Sequence, residues 1–190
     1  MLFSKSEKNY SSEYNSIFVP IPEEPTSNSE TKDTNEYIDI KDIQYPKYGE
    51  HFAELIIEEC SISTKMFMGD GDISLRNGVG TYYGSFIPGY GGTILVAGHN
   101  STVFNGLKNA KEGQLVKIKT SYGNYTYEIT NTAVKKNDDR SAFDLTADEE
   151  NLIMYTCYPF DELGLTNQRY FVYAKFVSGP IITDNGKEVM

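Results

Sequence analysis

From about residue 48 onward the chain is punctuated by short runs of β-branched and aromatic residues separated by turn residues. Residues 53–58, 62–68, 93–97, 115–120, 124–130, 152–156 and 170–177 each read as a strand, because such side chains fit a pleated, half-buried surface. Thr93-Ile94-Leu95-Val96-Ala97 and Leu152-Ile153-Met154-Tyr155 show almost no polar alternation, the signature of central strands covered on both faces. Ser121-Tyr122-Gly123-Asn124 lies between two runs and reads as a hairpin connection. Phe104 and Leu107, three apart and followed by Lys108, predict one short helix, and a further helical turn is predicted around residues 147–151. Many short strands with polar residues on their loops point to an all-β fold, and the pattern alone does not choose between barrel and sandwich.

The first 45 residues differ. Ser, Asn, Glu, Thr, Lys and Asp dominate, Pro20, Pro22 and Pro25 interrupt, and the first 50 residues hold ten acids against five lysines. This composition predicts a solvated N-terminal spacer over residues 1–45, relieved by one apolar island, Ile17-Phe18-Val19-Pro20-Ile21. A single domain over residues 46–180 and a short C-terminal tail over 181–190 complete the expected organisation, in keeping with 190 residues and 39% hydrophobic content. The net charge of −10 argues against nucleic acid, whose phosphates need a cationic face, and gives no polybasic membrane patch. No run approaches the ~18–20 apolar residues of a bilayer span, and the N-terminus lacks a signal-peptide pattern, so the chain as written reads as soluble. Two cysteines, Cys60 and Cys157, allow one disulfide but provide no disulfide framework.

Chemistry concentrates at three strand ends. The run Leu152-Ile153-Met154-Tyr155-Thr156-Cys157 stops at a thiol, and Arg169 precedes the next run, so both groups belong at the same end of a sheet. The run Thr93–Ala97 continues through Gly98 to His99. A thiolate attacks a carbonyl, an imidazole shuttles protons, and a guanidinium, charged at any working pH, donates to an oxyanion or to substrate carbonyls. In an unperturbed cysteine–histidine pair, thiolate and imidazolium coexist in under ~1% of molecules at pH 7. The pair therefore needs mutual stabilisation or works through a small active fraction. The Thr156 hydroxyl and nearby backbone N–H groups are natural second donors to the oxyanion. Taken singly, such a cysteine is more often a buried hydrophobe. His51, among Gly49, Glu50 and Phe52, has no motif and is assigned no role.

The same residues carry a family resemblance. Ile153-Met154-Tyr155-Thr156-Cys157, Gly98-His99 and an arginine a dozen residues after the cysteine resemble the motifs of sortases, cysteine transpeptidases of Gram-positive cell surfaces. The Thr-Cys ending matches the family's Thr-Leu-x-Thr-Cys, whereas the first two positions do not. Thr156-Cys157-Tyr158-Pro159-Phe160-Asp161 and the block from Gly78-Val79-Gly80 to Gly98-His99-Asn100 look most like class D members. The resemblance implies a closed eight-stranded β-barrel with one or two short helices, catalytic residues His99, Cys157 and Arg169, and a peptide groove containing Ala97, Tyr155 and Thr156. It implies cleavage of a Leu-Pro-x-Thr-Gly sorting signal between Thr and Gly, and transfer of the acyl group to an amine of a peptidoglycan precursor or pilin lysine. It also implies work at the extracellular face of a Gram-positive membrane through an anchor outside this chain. Residues 133–148 take the place of the specificity loop. Asp138, Asp139, Asp144 and Asp148 could supply oxygen ligands to calcium, as in some class A enzymes, but without EF-hand spacing they read as solvated carboxylates, and no metal or cofactor is expected. The rival readings are an L,D-transpeptidase, whose histidine and cysteine lie close together rather than at 99 and 157, and a non-catalytic surface β-barrel with an inert Cys157.

Overall fold

In the computed structural model, residues 36–160, 166–184 and 186–188 are described. Eleven strands occur among them: β1 (Tyr37–Asp39), β2 (His51–Ile57), β3 (Ile62–Met68), β4 (Val79–Thr81), β5 (Thr93–Ala97), β6 (Leu115–Thr120), β7 (Asn124–Lys136), β8 (Asn151–Tyr158), β9 (Gln168–Ser178), β10 (Ile181–Asp184) and β11 (Lys187–Glu188). One α-helix, α1 (Asp72–Asn77), links β3 to β4. Eight strands close into a barrel in the order β2-β3-β4-β5-β8-β9-β7-β6, with β6 returning to β2. The β3–β4 and β5–β8 pairs are parallel. Closure removes the exposed edges that an open sheet of these strands would present. The all-β, eight-stranded barrel expected from the resemblance is the fold of the chain.

Alternation explains which residues fill it. In β3 every second side chain from Ile62 is buried, as a strand with one face on a core requires. The interior is packed by residues such as Leu55, Met66, Ile94, Val96, Leu152 and Met154. A second apolar cluster lies on the outer face of the same wall: Leu95, Ile153, Phe171 and Ala142, with Leu145, Tyr155 and Tyr173 against it. The absence of polar alternation in β5 and β8 is thereby explained, since both are covered inside and out. Ala142 and Leu145 belong to the β7–β8 connection, and Tyr173 donates its hydroxyl to the Ala142 carbonyl at 2.8 Å.

The short helix expected at Phe104 and Leu107 is a 3-10 turn, Asn105–Asn109. The helical turn expected around residues 147–151 is absent; a 3-10 turn sits earlier, at Arg140–Ala142, and Asn151 already belongs to β8. Glu150 supplies the reason. Its carboxylate accepts from Gly89 N–H at 3.0 Å, Gly91 N–H at 3.0 Å and the Tyr127 hydroxyl at 2.6 Å, which pins the approach to β8 in an extended path. Residues 1–35 lie outside the described residues. The last part of the segment expected as spacer and the first part of the expected tail meet as the parallel β1–β10 pair, Tyr37 opposite Ile181.

Candidate active site

Cys157 and Arg169 are direct cross-strand partners on β8 and β9. Period-two alternation puts Cys157 on the outward face with Ile153 and Tyr155, and Arg169 there with Phe171 and Tyr173. Ala97 on β5 is the register partner of Tyr155, and the pairing continues past the strand through Gly98 N–H to the Tyr155 carbonyl at 3.2 Å. Carrying that register two residues further sets His99 level with Cys157. Cys157 and Arg169 thus share one row at one end of the barrel, and His99 follows two residues after the end of the neighbouring strand β5. Cys157 is half-buried and His99 exposed.

The loop bearing His99 is tied down from beneath. Thr156 donates its hydroxyl to the Gly98 carbonyl at 2.7 Å, and the Asn100 side chain donates to the Pro159 carbonyl at 2.9 Å. The His99 carbonyl accepts from Phe104 N–H at 3.1 Å, and Asn105 donates to the Asn100 carbonyl at 2.8 Å. Gly98 is required by a close approach: a Cβ there would lie 2.5 Å from the ring of Phe104, a fully buried side chain. The loops of the thiol and the imidazole are therefore bound to each other as one unit.

Thr156 departs from expectation. It points into the barrel, only 2% exposed, on the face opposite Cys157, with its hydroxyl committed to Gly98. It holds the two strand ends together and does not face the groove, so it is not placed to serve as an oxyanion donor. Ala97 and Tyr155 do share the outward face. Tyr155 stacks on Phe171 at 5.6 Å between ring centroids, and Phe171 on Tyr173 at 6.0 Å, so aromatic rings floor the surface beside the thiol. Burial, aided by the charge of Asp70, pushes the Tyr155 phenol up to about 12, against the opposing influence of Arg169. Arg169 is anchored by its own connection: Nη1 donates to the carbonyls of Thr166 (2.9 Å) and Gln168 (2.8 Å).

Other candidates fall elsewhere. Cys60 is 2% exposed within the core and both cysteines are free, so no disulfide forms. Burial, with the adjacent Glu59 charge, pushes the Cys60 thiol up, which leaves it a poor nucleophile. Asp139 and Asp144 cap local turns, accepting from Ser141 and Thr146. His51 pairs with Glu54 at 3.0 Å. Asn100 and Phe171 escape the sequence reading, although Phe171, two residues after Arg169, is recoverable from alternation.

A closed β-barrel of this strand order, with a thiol and a guanidinium paired across strands and an imidazole on the neighbouring strand end, is the architecture of a cysteine transpeptidase. The family model described as the sortase domain matches residues 55–177. The chain belongs to the sortase family. It is 33% identical over 154 residues to sortase D of Bacillus subtilis (strain 168), covering 81% of this chain and 78% of that protein. Among solved structures it is similar to a sortase D5 transpeptidase of Clostridium perfringens, at 26% identity and a TM-score of 0.63, covering 70% of this chain and 83% of that one. It is likewise similar to the catalytic domain of B. anthracis SrtD, at 31% identity and a TM-score of 0.60, covering 73% and 95%. The chain is therefore a sortase transpeptidase, whose substrates are in general terms a sorting-signal polypeptide and an amine acceptor. Among the described residues no helix is long and apolar enough to cross a membrane.

Proposed function

We propose that this transpeptidase cleaves a Leu-Pro-x-Thr-Gly-type sorting signal between Thr and Gly, with Cys157 as nucleophile, His99 as acid and base, and Arg169 as the charged donor. The observation that carries the reading is the cross-strand pairing of Cys157 with Arg169, beside the strand β5 that ends two residues before His99. The Cys157 thiolate adds to the threonine carbonyl, and the oxyanion that forms accepts from the Arg169 guanidinium and backbone N–H groups. Collapse breaks the Thr–Gly amide bond as imidazolium His99 gives its proton to the departing glycine nitrogen, which leaves a thioester. An acceptor amine then attacks the thioester, neutral His99 takes its proton, and the thiolate is expelled. One amide bond is broken and one formed, and the thiolate–imidazolium pair is restored.

The acceptor is an amine of a peptidoglycan precursor or a pilin lysine, and the site of action is the extracellular face of a Gram-positive membrane. Incubation with Leu-Pro-Ala-Thr-Gly followed by intact-protein and peptide mass spectrometry tests the reading. It requires an adduct on Cys157 that ends at the substrate threonine. An adduct on Cys60, or on neither thiol, overturns it.

A further inference from the structure

The row of outward residues just below the proposed catalytic row runs Gly80, Ala97, Tyr155, Phe171, each the register partner of the next. Its far end is closed by the chain that leaves β3. Gly69 N–H donates to the Thr81 carbonyl at 2.8 Å, and a Cβ on Gly80 would stand 2.6 Å from the Gly69 oxygen and 2.7 Å from Asp70 Cα. Backbone at 69–70 therefore crosses directly over the outer face of β4, and only glycine at position 80 leaves it room. Between this wall and the Tyr155 ring the floor is a single methyl group, Ala97. The result is a slot about two strand spacings wide, roughly 9–10 Å. The Asp70 backbone forms part of this wall, and its charge, after burial, is the next influence holding the Tyr155 phenol protonated.

The distance along the strands decides what the slot meets. Two residues of strand separate this row from Cys157, about 6.8 Å. An extended acyl peptide anchored by its threonine at Cys157 and laid along β8 toward Tyr155 would advance about 3.3 Å per residue, which would set the residue before the threonine between the two rows, on the side of the slot that Asp70 walls.

We propose that Asp70 is a specificity-determining residue, its carboxylate selecting a basic side chain and rejecting an acidic one at the position preceding the substrate threonine. This rests on the substrate reading above. With charges about 6 Å apart in a water-like dielectric, exchanging +1 for −1 changes the interaction by about tenfold in rate or affinity. Arg169, one row above, acts in the opposite sense, which makes the sign of the preference informative.

The experiment compares kcat/KM of the full chain for Leu-Pro-Lys-Thr-Gly and Leu-Pro-Glu-Thr-Gly, with the alanine peptide as reference, in wild type and Asp70→Asn. Wild type should prefer lysine to glutamate by about tenfold at low salt, with the ratio shrinking toward one as the Debye length falls to about 3 Å at 1 M salt. Asp70→Asn should bring the ratio near one at low salt. A flat ratio in wild type, a preference for glutamate, or an Asp70→Asn ratio equal to wild type overturns the assignment. Turnover of the alanine peptide with a flat ratio sinks only Asp70, whereas absence of turnover with all three peptides sinks the substrate reading with it. If Asp70→Asn folds poorly, Asp70→Glu, which keeps the charge, and Asp70→Ser, which removes it, decide the matter: the first should keep the lysine preference and the second lose it, and equal ratios in the two overturn the assignment.

Discussion

Replacing Gly98 by alanine tests whether packing beneath the loop sets the position of His99. The new Cβ would stand 2.5, 2.8 and 3.0 Å from three ring atoms of Phe104, where ordinary carbon–carbon contact is about 3.5–4.0 Å. Roughly 1 Å must therefore be found. The ring is fully buried and its own N–H is bonded to the His99 carbonyl at 3.1 Å, so it retreats only into a filled core. Gly98 in turn is held by Tyr155 at 3.2 Å and Thr156 at 2.7 Å, so it rises only by breaking those bonds and carrying His99 with it. Overpacking of this kind costs about 1–3 kcal/mol, and a 1 Å displacement of a reacting group costs about 10²-fold. Urea denaturation should show the first loss and acyl transfer from a sorting-signal peptide to an amine the second. Phe104→Leu shortens the opposing group, so the double variant should recover stability relative to the sum of the singles by more than the roughly 0.3–0.5 kcal/mol scatter of independent sites. Normal stability and turnover in Gly98→Ala, or simple additivity in the cycle, refutes the argument.

Thr156→Val keeps the shape but leaves the Gly98 carbonyl unpaired; stability should fall by about 1–3 kcal/mol, with turnover falling too and Thr156→Ser restoring most of both. Thermal denaturation with a transfer assay reads this, and equal effects of Val and Ser count against a positioning role. Arg169→Lys keeps the charge but loses the planar fork; turnover should fall about 10²–10³-fold, as for loss of an oxyanion donor, while the thermal midpoint shifts by only a few degrees, and near-normal turnover removes Arg169 from the site. Burial raises the Glu150 carboxyl despite the Tyr127, Gly91 and Gly89 bonds that oppose the rise, so the folded chain holds that proton more tightly than the unfolded one. Its contribution to stability is therefore present in full below the unfolded value of about 4.3 and lost as pH climbs through the higher folded value. The stability of wild type relative to Glu150→Gln should be greatest at the acid end of a urea series; a difference that grows with pH contradicts the sign.

How far the sequence reached follows from the range of each constraint. Period-two alternation is local, and together with an antiparallel return it makes the pairing of Cys157 with Arg169 legible from residues 152–177 alone. The same rule speaks against Thr156 in the groove, because the neighbour of an outward cysteine faces inward; grouping it with Tyr155 lets motif similarity override geometry. β4 is different in kind. Val79-Gly80-Thr81 has three residues and a central glycine, poor strand material by itself, and it is a strand because β3 and β5 already present ladders on either side. Its glycine is chosen by backbone eleven residues earlier, at Gly69, passing over it. The β1–β10 pair joins residues 37 and 181, and the extended path before β8 depends on Gly89, Gly91 and Tyr127, none within a local window. Local pattern thus suffices for the strands that carry the reacting groups, whereas the pieces that shape the walls around them are specified by distant backbone. The wall residue Asp70 belongs to this second kind: only the tertiary crossing of β4 brings it, unremarkable in sequence, over the row that holds Gly80, Ala97 and Tyr155.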